Sequence, residues 1–172
     1  MKQSASGYLG RSAVLAEKLV KDLAGRGKFI ALAESCTAGL AADFIARVPG
    51  ASGIFWGSYV AYTPEAKAAM LGVPAALVKK YGPVSMPVAL AMAEGALKKS
   101  GAFWAFSVTG LAGPDGDNSS LPIGTVWIGI AGRDGKSRAK MFLFEGSRNE
   151  VREAAAAAAL EELLERIHSS EY

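Results

Sequence analysis

Ser35, Lys67 and Tyr62 are the residues of this chain whose types and settings could carry chemistry. The sequence has one histidine, His168, four residues before its C-terminal end in a turn expected to fray, so a serine–histidine–aspartate arrangement has little to recruit. A serine nucleophile here needs a different base. A lysine can serve if its pKa falls toward neutrality. Lys67 meets one condition for that, because it falls in the first turn of an expected helix, where the dipole disfavours an ammonium ion, and partial burial would act the same way. An ordinary surface lysine is the plainer reading of the position alone.

Ser35 follows the apolar run Phe29-Ile-Ala-Leu-Ala33, which reads as a buried strand, and precedes a helix expected over Leu40 to Val48. Ligands gather at such junctions in open α/β sheets, and free N–H groups of the helix could stabilise an oxyanion beside the serine. Ser35 or Thr37 could instead simply cap that helix. Cys36 is either a second candidate nucleophile or a small buried apolar residue. Tyr62, at the end of the strand expected over Ile54 to Tyr62, could relay a proton or just pack. The segment Gly110-Leu-Ala-Gly-Pro-Asp-Gly116 could bring backbone N–H groups to a phosphate, with Ser107, Thr109, Ser119 and Ser120 nearby, or form a tight surface turn. It is neither a Walker loop nor a dinucleotide fingerprint.

The composition narrows the classes. At 172 residues and 51% hydrophobic content the chain fits one compact domain over residues 1–172. One cysteine and one histidine cannot build a zinc site of soft or imidazole ligands; a carboxylate-and-water magnesium site stays open, with no acidic cluster to advertise one. A net charge of +3 with scattered Lys and Arg argues against a nucleic-acid surface. With no signal-peptide pattern and no apolar run of membrane-spanning length, a cytoplasmic protein without membrane attachment is expected.

The elements that must position these residues follow from periodicity. Helices are expected over Tyr8 to Ala24, from Thr63-Pro64 onward with Thr63 as N-cap, over Ala75 to Lys80, over Pro87 to Lys99, and after the capping box Ser147-Arg-Asn-Glu150. Further strands are expected at Phe103 to Val108, Ile123 to Ala131 and Arg138 to Phe144, the last two joined as a hairpin through Gly132-Arg-Asp-Gly135. Early strands separated by helices imply parallel crossovers. The expected fold is a single three-layer α/β domain with a mixed, mostly parallel sheet and a late antiparallel hairpin.

Five segments in register add a resemblance. Ala33-Glu-Ser-Cys-Thr-Ala-Gly39, Val60-Ala-Tyr-Thr-Pro-Glu-Ala-Lys67 with Leu71-Gly-Val73, Gly82-Pro-Val-Ser85, Val108-Thr-Gly-Leu-Ala-Gly-Pro-Asp-Gly116 and Pro122-Ile-Gly-Thr-Val-Trp127 resemble the CinA C-terminal domain family, from about Phe29 to Glu150. That family includes stand-alone nicotinamide-nucleotide amidohydrolases. The resemblance implies a serine nucleophile at Ser35, assisted by Tyr62 and Lys67, that removes ammonia from the carboxamide of nicotinamide mononucleotide. It also implies substrate contacts from Thr37, Gly39, Ser85, Thr109, Gly110 and Gly113, a small-molecule nucleotide as partner, no cofactor, and room for a homo-oligomer. Two departures stand out: Ala38 replaces a second glycine usual in the family, and Asp117-Asn-Ser-Ser-Leu121 differs from the family's glycine- and lysine-containing loop. They leave open a nucleotide-binding or competence-associated module without catalysis, or an amidase for another phosphorylated amide.

Overall fold

The computed structural model describes residues 5–116 and 119–169. In chain order these form α1 (Ala5–Leu23), β1 (Ile30–Glu34), α2 (Leu40–Ala46), a short 3-10 turn (Ala51–Gly53), β2 (Phe55–Val60), α3 (Pro64–Leu71), α4 (Ala75–Tyr81), α5 (Met86–Ser100), β3 (Trp104–Gly110), β4 (Thr125–Gly132), β5 (Ser137–Leu143) and α6 (Arg148–Ser169). The strands make one sheet in the order β2-β1-β3-β4-β5. β1 runs parallel to both β2 and β3, while β4 is antiparallel to β3 and to β5, so four strands share one direction and the sheet closes on a hairpin. The domain is the mixed, mostly parallel α/β layer structure that the pattern predicts.

Side-chain alternation sorts the two faces. On β1 and β3, Ile30, Leu32, Trp104, Phe106 and Val108 point into a large core shared with α1, α2 and α6. Their neighbours Ala31, Ala33 and Ala105 face α3 and α5. Small residues on that second face let α5 lie close: a Cβ added at Gly129 would sit 2.5 Å from the Ala89 carbonyl oxygen. On the first face the alanine tract Ala154 to Ala159 is buried throughout, because α6 lies beneath α1 and against the sheet.

Caps fix where the helices start. Thr63 Oγ1 accepts from the Ala66 amide at 3.2 Å, and Pro64 opens α3. Before α6, the Glu150 carboxylate accepts from the Ser147 amide at 2.8 Å. Two expectations change. β2 ends at Val60 and β4 begins at Thr125, so Tyr62 and Ile123 lie outside the ladder, Ile123 in a turn. His168 is not on a frayed turn; it lies within α6, its Nε2 2.8 Å from the Asp22 carboxylate of α1.

The carboxyl ends of the three neighbouring parallel strands β2, β1 and β3 lead into Tyr62, Ser35 and the Gly110 segment. The segments that follow three strands therefore meet at one end of the sheet, where open α/β sheets bind ligands. No helix among the described residues is long and apolar enough to cross a membrane.

Candidate active site

Ser35 is the first residue beyond β1, and its amide still pairs with the Val108 carbonyl at 2.9 Å, continuing the β1–β3 ladder. The chain then turns sharply through Ala38 and Gly39, both at positive φ (50° and 93°), into α2. The amides at the start of α2 do not face an oxyanion site, contrary to expectation. The buried Glu34 carboxylate takes them: Oε2 accepts from Gly39 and Ala41 at 3.0 and 3.1 Å, and Oε1 from Ala42 at 3.1 Å and from the Ser58 hydroxyl at 2.9 Å. An anion at a helix N-terminus is favourable, and this one rigidifies the turn carrying Ser35.

The Cys36 and Thr37 amides donate to no other backbone group, and the Cys36 N–H lies against its own sulfur. Arg152 of α6 donates from Nε to the Cys36 carbonyl at 3.1 Å and from Nη2 to the Thr37 carbonyl at 3.0 Å. In a trans peptide the N–H opposes the C=O, so gripping the Cys36 carbonyl turns the Thr37 N–H away from the arginine. Thr37 is itself fully buried, and its hydroxyl has no partner.

Lys67 reaches Ser35 from the first turn of α3. Its side chain is 1% exposed, and Nζ lies 2.7 Å from Ser35 Oγ, 3.2 Å from the Ala61 carbonyl and 3.5 Å from the Tyr62 carbonyl. All three partners are neutral. Burial without a carboxylate lowers the lysine from an ordinary 10.5 to about 8. Ser35 Oγ is also 3.3 Å from the Tyr62 carbonyl oxygen. Burial has the opposite effect on the adjacent thiol, pushing Cys36 up to about 12, so it remains protonated and a poor nucleophile.

The cleft above this pair is bounded by Val84 and Leu111 as apolar walls and by Tyr62 and Arg148 at its rim. Of the expected site residues, Ser35, Tyr62, Lys67, Thr109 and Gly110 line it, whereas Thr37, Gly39, Ser85 and Gly113 do not. The Tyr62 phenol, expected beside Lys67, instead accepts from Arg148 Nη2 at 2.7 Å, while its main-chain carbonyl meets the serine and the lysine. Three hydroxyls suggested for substrate are engaged within the protein: Thr109 Oγ1 donates to the Pro83 carbonyl at 2.9 Å, Ser107 Oγ to Ala89 at 2.6 Å and Ser85 Oγ to Gly82 at 3.0 Å. Gly110 is required sterically, since a Cβ there would come within 2.6 Å of the Val126 side chain. Gly113 offers its carbonyl to Arg148 Nη1 at 2.5 Å.

Arg148 and Arg152 were missed in the sequence. They stand four residues apart at the start of α6, where the dipole disfavours cations, immediately beside a capping box. That mismatch was the available signal; the box drew attention to Ser147 and Glu150 instead.

The α/β domain thus brings a buried lysine into hydrogen-bond contact with a serine at the carboxyl ends of parallel strands, where ligands bind in open α/β sheets. Residues 12–167 match the CinA C-terminal domain, and the chain belongs to that family. It is 42% identical to the nicotinamide-nucleotide amidohydrolase PncC of Escherichia coli, over 87% of this chain and 90% of the relative. It is 47% identical to a CinA-like protein of Akkermansia muciniphila over 89% of this chain, and spans about a third (37%) of that relative's length. Among solved structures it superposes on the competence/damage inducible protein CihA of Agrobacterium tumefaciens with a TM-score of 0.87 and 37% identity, covering 91% of this chain and 95% of that one.

Proposed function

We propose that this protein hydrolyses the carboxamide of nicotinamide mononucleotide to nicotinate mononucleotide and ammonia. The observation that carries the reading is the 2.7 Å contact between Ser35 Oγ and a Lys67 amine surrounded by neutral acceptors. A lysine held near 8 is neutral in a useful fraction of molecules at physiological pH, whereas an exposed lysine is not.

In this mechanism neutral Lys67 takes the Ser35 proton as Oγ attacks the carboxamide carbon. The oxyanion that forms is met by the Thr37 amide, which donates to no backbone carbonyl, with the neighbouring Cys36 amide beside it. The C–N bond breaks as Lys67 returns the proton to the departing nitrogen, which leaves as ammonia, with the acyl group now an ester on Ser35. Water then attacks the ester while Lys67 again accepts a proton, and the carboxylate product leaves as Ser35 regains its hydrogen. The E. coli relative named for this activity, similar over nearly its whole length, supports the choice of substrate. A small-molecule partner, a place in pyridine-nucleotide recycling and a cytoplasmic setting go with this reading.

Purified protein should release ammonia from nicotinamide mononucleotide, and Ser35→Ala should remove that activity while leaving thermal unfolding near the parent value. Full turnover by Ser35→Ala would sink the mechanism. Binding of the nucleotide by the parent protein without ammonia release would make the chain a nucleotide-binding module.

A further inference from the structure

The cleft contains two cations of different character. Lys67 is sealed at its floor, whereas Arg148 is exposed at its rim. A guanidinium does not deprotonate in proteins, so Arg148 keeps its charge under all conditions of interest. Among the described residues, Arg11, Arg47, Arg138 and Arg166 each pair with a carboxylate. Arg148 does not: its two acceptors are the Tyr62 hydroxyl and the Gly113 carbonyl, both neutral. Two of its five N–H groups are engaged by these bonds, leaving three, and the guanidinium is held between the end of β2 and the loop after β3.

We infer that Arg148 recognises the anionic group of the substrate, a phosphate monoester, and that the Tyr62 hydroxyl positions this guanidinium rather than carrying a proton between Ser35 and Lys67. The inference rests on the amidase reading and specifies its substrate class. The geometry separates the two parts of Tyr62: the carbonyl faces the serine–lysine pair and the phenol faces the arginine. A planar fork with fixed neutral acceptors on one side suits bidentate binding of phosphate oxygens on the other. The same phosphate would anchor the nucleotide at a distance from the reacting carboxamide, so that its binding energy orients the amide against Ser35.

The test uses the full chain and its Arg148→Gln, Arg148→Lys and Tyr62→Phe variants, each checked for parent-like thermal unfolding. In the parent, kcat/KM should favour nicotinamide mononucleotide over the dephosphorylated riboside. Arg148→Gln should lower that preference roughly a hundredfold, with Arg148→Lys recovering part of it. Tyr62→Phe should lower the preference roughly tenfold while the acid limb of the pH–rate profile stays in place. Equal losses on both substrates in Arg148→Gln would overturn the assignment of the phosphate to Arg148. A shifted acid limb in Tyr62→Phe would overturn the positioning role and restore a proton relay.

Titration calorimetry with inorganic phosphate and with nicotinate mononucleotide gives a readout independent of turnover. Weaker binding of both by Arg148→Gln is expected. Unchanged binding, or none by the parent at millimolar phosphate, would overturn the inference. Absence of ammonia release by the parent would overturn the amidase reading, while the calorimetry would still decide whether Arg148 holds an anion.

Discussion

At Lys67 a single buried amine has both a chemical and an energetic consequence. Its folded pKa is about 8 against an ordinary 10.5, so between those values the unfolded chain binds one more proton than the folded one. Stability therefore rises with pH across that window. Below it both states carry the proton, and charging the amine in the folded protein costs about 3 kcal/mol. Urea unfolding from about pH 7 to about pH 11 should show the parent gaining about 3 kcal/mol relative to Lys67→Met. A flat difference would mean that the lysine titrates normally. The same group should set the acid limb of kcat/KM near 8, with rates falling about tenfold per unit below it. Ser35 and Lys67 were legible in the sequence because a strand–helix junction and a capped helix bracket them. The use made of the Tyr62 phenol was not, because its partner Arg148 comes from a distant part of the chain.

At the scale of elements, the turn between β1 and α2 shows why local sequence rules reached the site but misread its details. The sequence placed a helix N-terminus beside Ser35 and assigned its amides to an oxyanion. Glu34, the last residue of β1, turns its buried carboxylate onto those amides, a three-dimensional choice that no periodicity reveals. The departure at Ala38 has a backbone meaning. With φ at 50° it is the one non-glycine residue in the left-handed region among the described residues, where a Cβ is disfavoured. Ala38→Gly should relieve about 1 to 2 kcal/mol of that strain and lose part of the gain to unfolded-chain entropy, leaving about 0.5 to 1 kcal/mol of stabilisation. The midpoint of thermal unfolding should rise by about 2 to 4 °C for each kcal/mol gained, and a lower midpoint would show that the alanine methyl packs favourably.

Across the whole molecule, layer order was the most legible property. Helix-separated early strands gave parallel crossovers, and the glycine-bounded turn gave the β4–β5 hairpin. The order β2-β1-β3 and the packing of α6 under α1 depend on contacts between distant segments, for which the sequence carries no local signal. The buried alanines of α6 show how tight that packing is. Ala156 is fully buried, and Ala156→Leu should lower stability by about 1 to 3 kcal/mol, measured as a lower urea midpoint with unchanged slope. An unchanged midpoint would reveal slack between α6 and its neighbours.

The partnership of α1 with α6 also has a consequence for biosynthesis. Leu19 and Leu23 of α1 are fully buried in the folded protein, in a core that α6 helps to close. The ribosome makes α1 before α6, and roughly 125 residues separate its last turn from the first residue of α6, on the order of 10 s of elongation. Throughout that interval the nascent chain presents an amphipathic helix whose apolar stripe lacks its eventual cover. The cleft is likewise incomplete over the same interval, because Arg148 at its rim is the first residue of α6.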